Sequence, residues 1–381
     1  MKKFPIGIQS FEEIQTQDYL YVDKTGFIQK LIETGKVYFL SRPRRFGKSL
    51  LISTMEAYFE GRSDLFHGLA IEDYENAQPV KQRWISFPVL RFSLSGGAYQ
   101  TDQGLENKLR FTLNAFEDKY GIRHDSTLDL PTQFSWCLHE AYSITGLRTV
   151  VLVDEYDKPL LENMALNPEQ EERNRIIFKS FFSILKDEDS YLRFVFMTGV
   201  TKFSKVSIFS NLNQLEDITM AQDYAGICGI TESELEMYCA DNISAMTKEN
   251  NQTEEECRQQ LRTMYDGYHF SYNAEGVYNP FSLFNALKQK EFDSYWFETG
   301  TPVFLIRTLQ SSSYSISDLS EGVQATGQQL SEYRADDPDP VPLFYQTGYL
   351  TIIGWDEQFR TYTLGFPNQE VRNGFMNLFP S

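Results

Sequence analysis

Two kinds of apolar pattern alternate along the first 225 residues. Short unbroken runs read as strands, and stretches with apolar residues every three or four positions read as helices. KVYFL (36–40) is the first run, and LLISTMEAYFEG (50–61) follows at helical spacing and closes on Gly61. FPVLRFSLS (87–95) alternates apolar and polar residues. RTVVLVDEYD (148–157) and LRFVFMTGVT (192–201) are continuous, the pattern of strands buried on both faces of a parallel sheet. QLEDITM (214–220) is a weaker fifth strand. Helices are expected between them over 105–121, 132–146 and 174–187. This alternation predicts an α/β fold, with a parallel sheet built by right-handed crossovers and helices on both faces. Residues 1–35 are polar and aromatic and precede the first clear strand.

After about residue 225 the rhythm changes. TESELEMYCADNISAM (231–246) opens with Thr231 and Glu234 at capping-box spacing. Further helices are expected over 252–264 and 280–290, separated by the aromatic turns YDGYHFSYNAEGVYNP (265–280). YWFETGTP (295–302) follows, and the tail PLFYQTGYLTIIGWDEQFRTYTLGFP (342–367) reads as a small helix and a hairpin. Proline and charge in DDPDP (336–340) mark a short boundary, and no internal repeat is evident.

The length of 381 residues suits two or three domains. The balance of 35 basic and 53 acidic residues, net −18, repels a polyanion on average and argues against a broad nucleic-acid surface. The four cysteines, Cys137, Cys228, Cys239 and Cys257, form no C-x-x-C pair and sit at no zinc-finger spacing from a histidine, as buried thiols of a reducing compartment would. His67, His124, His139 and His269 show no metal pairing. No signal-like or membrane-length apolar run is present, so a cytoplasmic protein is expected.

Chemistry concentrates in two places. FLSRPRRFGKSLLIST (39–54) sits between a strand and a helix, where a phosphate-binding loop belongs. Gly47 permits close backbone approach, Lys48 brings charge to the terminal phosphates and Ser49 brings a hydroxyl to magnesium. The first glycine of that loop is replaced by Arg42, which is free to point outward, and Pro43 stiffens the turn. Arg44 and Arg45 could contact phosphate, an acidic face or a partner. The second place is VVLVDEYD, whose apolar run Val150–Val153 drives Asp154 and Glu155 to the carboxyl end of a buried strand. An aspartate there can hold Mg²⁺ and the neighbouring glutamate can polarise an attacking water.

RPRRFGKS followed by LVDEYDKP resembles the AAA-ATPase-like family of bacterial and archaeal P-loop proteins. FPIGIQSFEEI, YVDKTGFI, FMTGVTKFSKVSIFSNLNQLEDIT, MYDGYHF, YNPFSL and YWFETGTP extend the resemblance over nearly the whole chain. In that family the arginine-rich loop is the usual form, so the resemblance implies a variant loop competent to bind ATP. It implies an AAA/STAND-like P-loop NTPase domain over 1–225, a helical lid over 226–300 and a winged-helix-like domain over 301–381.

Carried over residue by residue, the resemblance places Arg44, Arg45, Phe46, Gly47, Lys48 and Ser49 around the phosphates, with Ser49 and Asp154 on Mg²⁺ and Glu155 as catalytic base. Thr198 or Thr201 would sense the γ-phosphate. Asp157 and Lys158 belong to the signature with an open role, and Pro5, Ile6, Gly7, Tyr21, Asp23 and Lys24 would approach the base or brace the loop. Arg173 and Arg175 are the arginine-finger candidates. Many relatives continue into a PD-(D/E)XK nuclease-like domain; this chain stops at NLFPS without that constellation, and nuclease activity is not expected of it. Lysine and arginine are sparse over 291–381, which weakens a DNA-binding role there.

The expected function is therefore that of a Mg²⁺-dependent ATPase which turns nucleotide state into a conformational signal. Its partners would be the nucleotide and a protein partner or second copy of the chain. A nucleotide-gated scaffold that scarcely hydrolyses, binding nucleic acid or a partner protein, is the alternative.

Overall fold

The computed structural model describes residues 2–164, 166–202, 212–298, 316–331 and 339–378. The chain crosses four times between two compact units, one drawn from Met1–Val22, Ser41–Leu50 and Thr219–Ser381, the other from Asp23–Leu40 and Leu51–Ile218.

The second unit is an α/β sheet flanked by helices. Strands β1 (Val37–Ser41), β2 (Val89–Ser93), β3 (Thr149–Asp154), β4 (Leu192–Gly199) and β5 (Glu216–Asp217) lie in the order β2-β3-β4-β1-β5. All five are parallel, so their carboxyl ends share one edge. Every residue of β1 and β3 is buried, which is why these segments read as unbroken apolar runs. Phe92 of β2 meets Phe134 and Phe181 at 5.7 and 5.3 Å, fastening the helices Leu130–Thr145 and Pro168–Asp187 to the sheet. Phe59, ending the helix Lys48–Phe59, packs 5.1 Å from Phe194 of β4.

The expected strands are all present; β1 keeps its five residues one position later, and the other four are shorter. RTVVLVDEYD leaves the sheet at Asp154, because Glu155 takes a left-handed φ of 54°. β5 keeps only two residues of 214–220. The helix expected from 174 begins at Pro168, six residues earlier, behind Asn167, whose side chain accepts from the Gln170 amide. Its first turn, PEQEER, is too polar to show helical periodicity. Residues 1–35 and the stretch before β2, where no element was expected, hold the helices Phe11–Thr16, Thr25–Thr34 and Ala70–Ala77. Asp23 joins two of them: one carboxylate oxygen accepts from the Thr25 amide and hydroxyl, the other from the Ala70 amide.

The first unit is mainly helical. Glu232–Glu249 and Glu254–Tyr265 both start with complete capping boxes, Thr231 with Glu234 and Thr253 with Glu256. With Pro280–Gln289 they enclose a core of Leu235, Ile243, Leu261, Tyr265, Tyr278 and Leu283, against which Phe4 and Ile6 pack. Beyond it a three-stranded antiparallel sheet runs in the order β6-β8-β7, from β6 (Val323–Thr326), β7 (Thr351–Asp356) and β8 (Thr361–Gly365). The hairpin expected in the tail is β7–β8; β6 and the closing helix Gln369–Leu378 are additions. Residues 203–211 of the family stretch FMTGVTKFSKVSIFSNLNQLEDIT, all of TGTP after Glu298, and the start of DDPDP lie outside the described residues.

Candidate nucleotide site

The loop after β1 is anchored residue by residue. Arg42 is wholly buried, not directed outward as the sequence allowed. Its Nη1 donates to the carbonyls of Ser41 and Thr219 at 2.9 and 2.8 Å, and Nη2 to that of Tyr224 at 3.0 Å. Its guanidinium lies 3.9 Å from the centre of the Phe270 ring. Pro43 packs on Gly348, where a side-chain carbon would come within 2.6 Å of the proline ring. The Arg44 carbonyl accepts from the buried Trp296 indole N–H at 3.0 Å. Arg45 holds a φ of 67° and lays its guanidinium 4.7 Å over Phe281. Phe46 is buried edge-on against Tyr268 and Phe270, at 4.8 and 5.6 Å.

An arginine can thus occupy the position of the usual glycine because its side chain is the loop's deepest anchor. Three carbonyls and an aromatic face satisfy the charge that burial would otherwise penalise. Gly47 turns at φ 89°, a conformation that favours glycine, and opens the helix Lys48–Phe59. The Lys48 ammonium folds back on the loop and donates to the carbonyls of Arg42 and Pro43 at 2.9 and 2.8 Å. Arg45 and Gly47 are exposed and Ser49 is half-exposed, while Phe46 and Lys48 between them are buried.

The acids end β3. Asp154 is buried, and its Oδ1 accepts from the Thr198 hydroxyl on β4 at 3.0 Å. Glu155 is half-buried at the left-handed turn, with the Tyr156 amide bound to the Thr198 carbonyl at 3.0 Å. Asp157 is buried and its Oδ2 accepts from the amides of Val200 and Thr201 and from the Thr201 hydroxyl, at 3.0, 2.6 and 2.8 Å. Gly199 lies against this clasp, since a side-chain carbon there would approach Asp157 Oδ1 and the Tyr156 ring to 2.7 Å. Between them, Thr198 and Thr201 thus serve the two aspartates. In the sheet, β4 alone separates β3 from β1, so the strand carrying the acids and the strand feeding the loop end at one edge, roughly 10 Å apart.

A family described as Predicted AAA-ATPase matches residues 5–209, which include both motifs. The chain belongs to this AAA-ATPase-like family. It is also similar to a protein of Azotobacter chroococcum mcd 1 described as an uncharacterized protein in the vnfD 5' region, with 40% identity over 380 residues covering 97% of this chain and 68% of that one.

In this AAA-ATPase-like chain the other candidates already have partners. Arg173 pairs with Asp102 at 2.8 Å, and Arg175 with Glu171 and Glu172. His67, His124 and His139 pair with Glu72, Asp118 and Glu188, and the His269 ring meets the Ala274 carbonyl. All four cysteines are buried, and burial pushes the Cys137 and Cys239 thiols up, the latter to about 12. Among the described residues no group of three metal-binding side chains occurs, and no helix is long and apolar enough to cross a membrane. Lys202, just past β4, was not anticipated: it is buried over the Phe39 ring and pairs with Asp217 of β5. No spacing rule could have found it, because its partner depends on which strands become neighbours.

Proposed function

We propose that this AAA-ATPase-like protein binds ATP with Mg²⁺ through the Arg42–Ser49 loop and the acids that end β3, and hydrolyses it slowly. The observation that carries the reading is the sheet order, in which β1 and β3 end at one edge with only β4 between them. The loop amides and Lys48 would bind the phosphates. Ser49 and Asp154 supply hard oxygen donors of the kind Mg²⁺ takes, and the ion, when bound, would neutralise phosphate charge. Thr198 orients Asp154 through its hydroxyl and so acts as a positioning residue. Glu155 would accept a proton from the attacking water.

Coupling follows from the loop's anchors. Phe270, Phe281, Trp296 and Gly348 hold Arg42, Arg45, Arg44 and Pro43 in turn. Any shift of the loop on binding phosphate must therefore be felt by the segments 226–300 and 301–381, which we assign as lid and winged-helix-like modules. The antiparallel sheet β6-β8-β7 and its neighbouring helices support the second assignment. Glu155→Gln should keep ATP binding and lose turnover, whereas Lys48→Ala should lose both. Wild-type turnover by the glutamine variant would remove Glu155 from the mechanism.

One observation favours the second reading, a nucleotide-gated scaffold: both candidate finger arginines are already engaged by carboxylates. A wild-type rate indistinguishable from that of Lys48→Ala would select it. A protein partner or second copy supplying an arginine would raise that rate.

A further inference from the structure

The α/β unit carries a cavity of about 230 Å³ walled by Tyr58, Tyr74, Trp84, Phe87, Gln82 and Arg193. It lies toward the amino end of β4, where Arg193 is the second residue, so most of a strand separates it from the edge that carries Asp154. Arg193 is half-buried with its guanidinium 5.6 Å over Phe87. Among the described residues it makes no ion pair, in a chain where acids outnumber bases 53 to 35. Its charged neighbour is another cation, Arg148, just before β3; burial first and Arg148 second hold the Arg193 pKa below its ordinary value. The one carboxylate in the wall, Glu75, is spoken for by the Tyr58 hydroxyl at 2.6 Å and the Trp84 amide at 2.7 Å. Sheltered cations normally recruit an acid, and two arginines side by side raise the demand.

We propose that this cavity is a binding site for a small aromatic carboxylate, its ring against the aromatic walls and its anionic group on Arg193. The volume suits one ring, below the range of drug-sized pockets. The planar fork of an arginine matches a carboxylate bidentately, and aromatic walls favour a flat partner over a flexible one.

The test is ¹⁹F NMR of 4-fluorobenzoate with the intact protein, against the neutral 4-fluorobenzamide. Saturable broadening of the benzoate is expected, with the amide weaker by about tenfold. Arg193→Gln should abolish the difference. Gln82→Glu, at an exposed rim position, should weaken the benzoate and spare the amide, and it decides the matter if Arg193→Gln does not fold. Saturating ATP with Mg²⁺ should leave the probe bound. Equal binding of the two probes, no saturation up to ~10 mM benzoate, undiminished binding by the variants, or displacement by ATP would each overturn the site.

Discussion

Arg42 shows how one residue can invert the meaning of a motif. As a departure from a glycine position it looks like damage; in place it is a buried strut whose guanidinium serves the carbonyls of Ser41, Thr219 and Tyr224. Arg42→Gly, which restores the common form of the loop, should therefore destabilise the protein by about 3 kcal/mol or more, because buried carbonyls lose their donors and a void opens. Urea unfolding measures this, and a variant as stable as wild type would refute the strut. The chemical types in the two motifs were legible from their spacing. What was hidden is that the loop's partners, Thr219, Phe270, Phe281, Trp296 and Gly348, lie some 175–305 positions along the chain. No local pattern announces a contact at that range.

Among the elements, legibility followed burial. β3 and β4 declared themselves because their middles are covered on both faces, leaving Val150–Val153 and Phe194–Met197 unbroken by a polar residue. The helix start at Pro168 and the short helix Phe11–Thr16 did not, since their solvated turns carry no period. Strand ends were also overestimated. The turn after β3 depends on a left-handed Glu155 and on Gly199 leaving room for the Asp157 clasp. Gly199→Ala should thus cost about 2 kcal/mol, since the Tyr156 ring it meets is itself buried and bonded to the Thr201 carbonyl at 3.0 Å. Thermal unfolding checks it: an unchanged melting temperature would show that the clasp can yield.

For the molecule as a whole, the helical unit carries a buried acid that should make stability depend on pH. Glu370 accepts from the Ser282 hydroxyl at 3.1 Å and from the Trp296 amide at 2.6 Å, yet burial outweighs these bonds and raises its pKa to about 7. A raised acid pKa favours the protonated native state. The contribution is full below pH 4.5, the unperturbed value, and is lost as pH rises through about 7. Glu370→Gln should flatten that slope in unfolding experiments from pH 4.5 to 7, and an identical slope would assign it to other groups. Because Trp296 also holds the Arg44 carbonyl, this acid stands two hydrogen bonds from the Arg42–Ser49 loop.

The central claim is that loop and acids serve one triphosphate. Calorimetric titration of ATP with Mg²⁺ into wild type, Lys48→Ala and Asp154→Asn tests it most directly. Saturable binding by wild type, and its loss in both variants, is the predicted result; Mg²⁺-dependent binding by Asp154→Asn equal to that of wild type would contradict it.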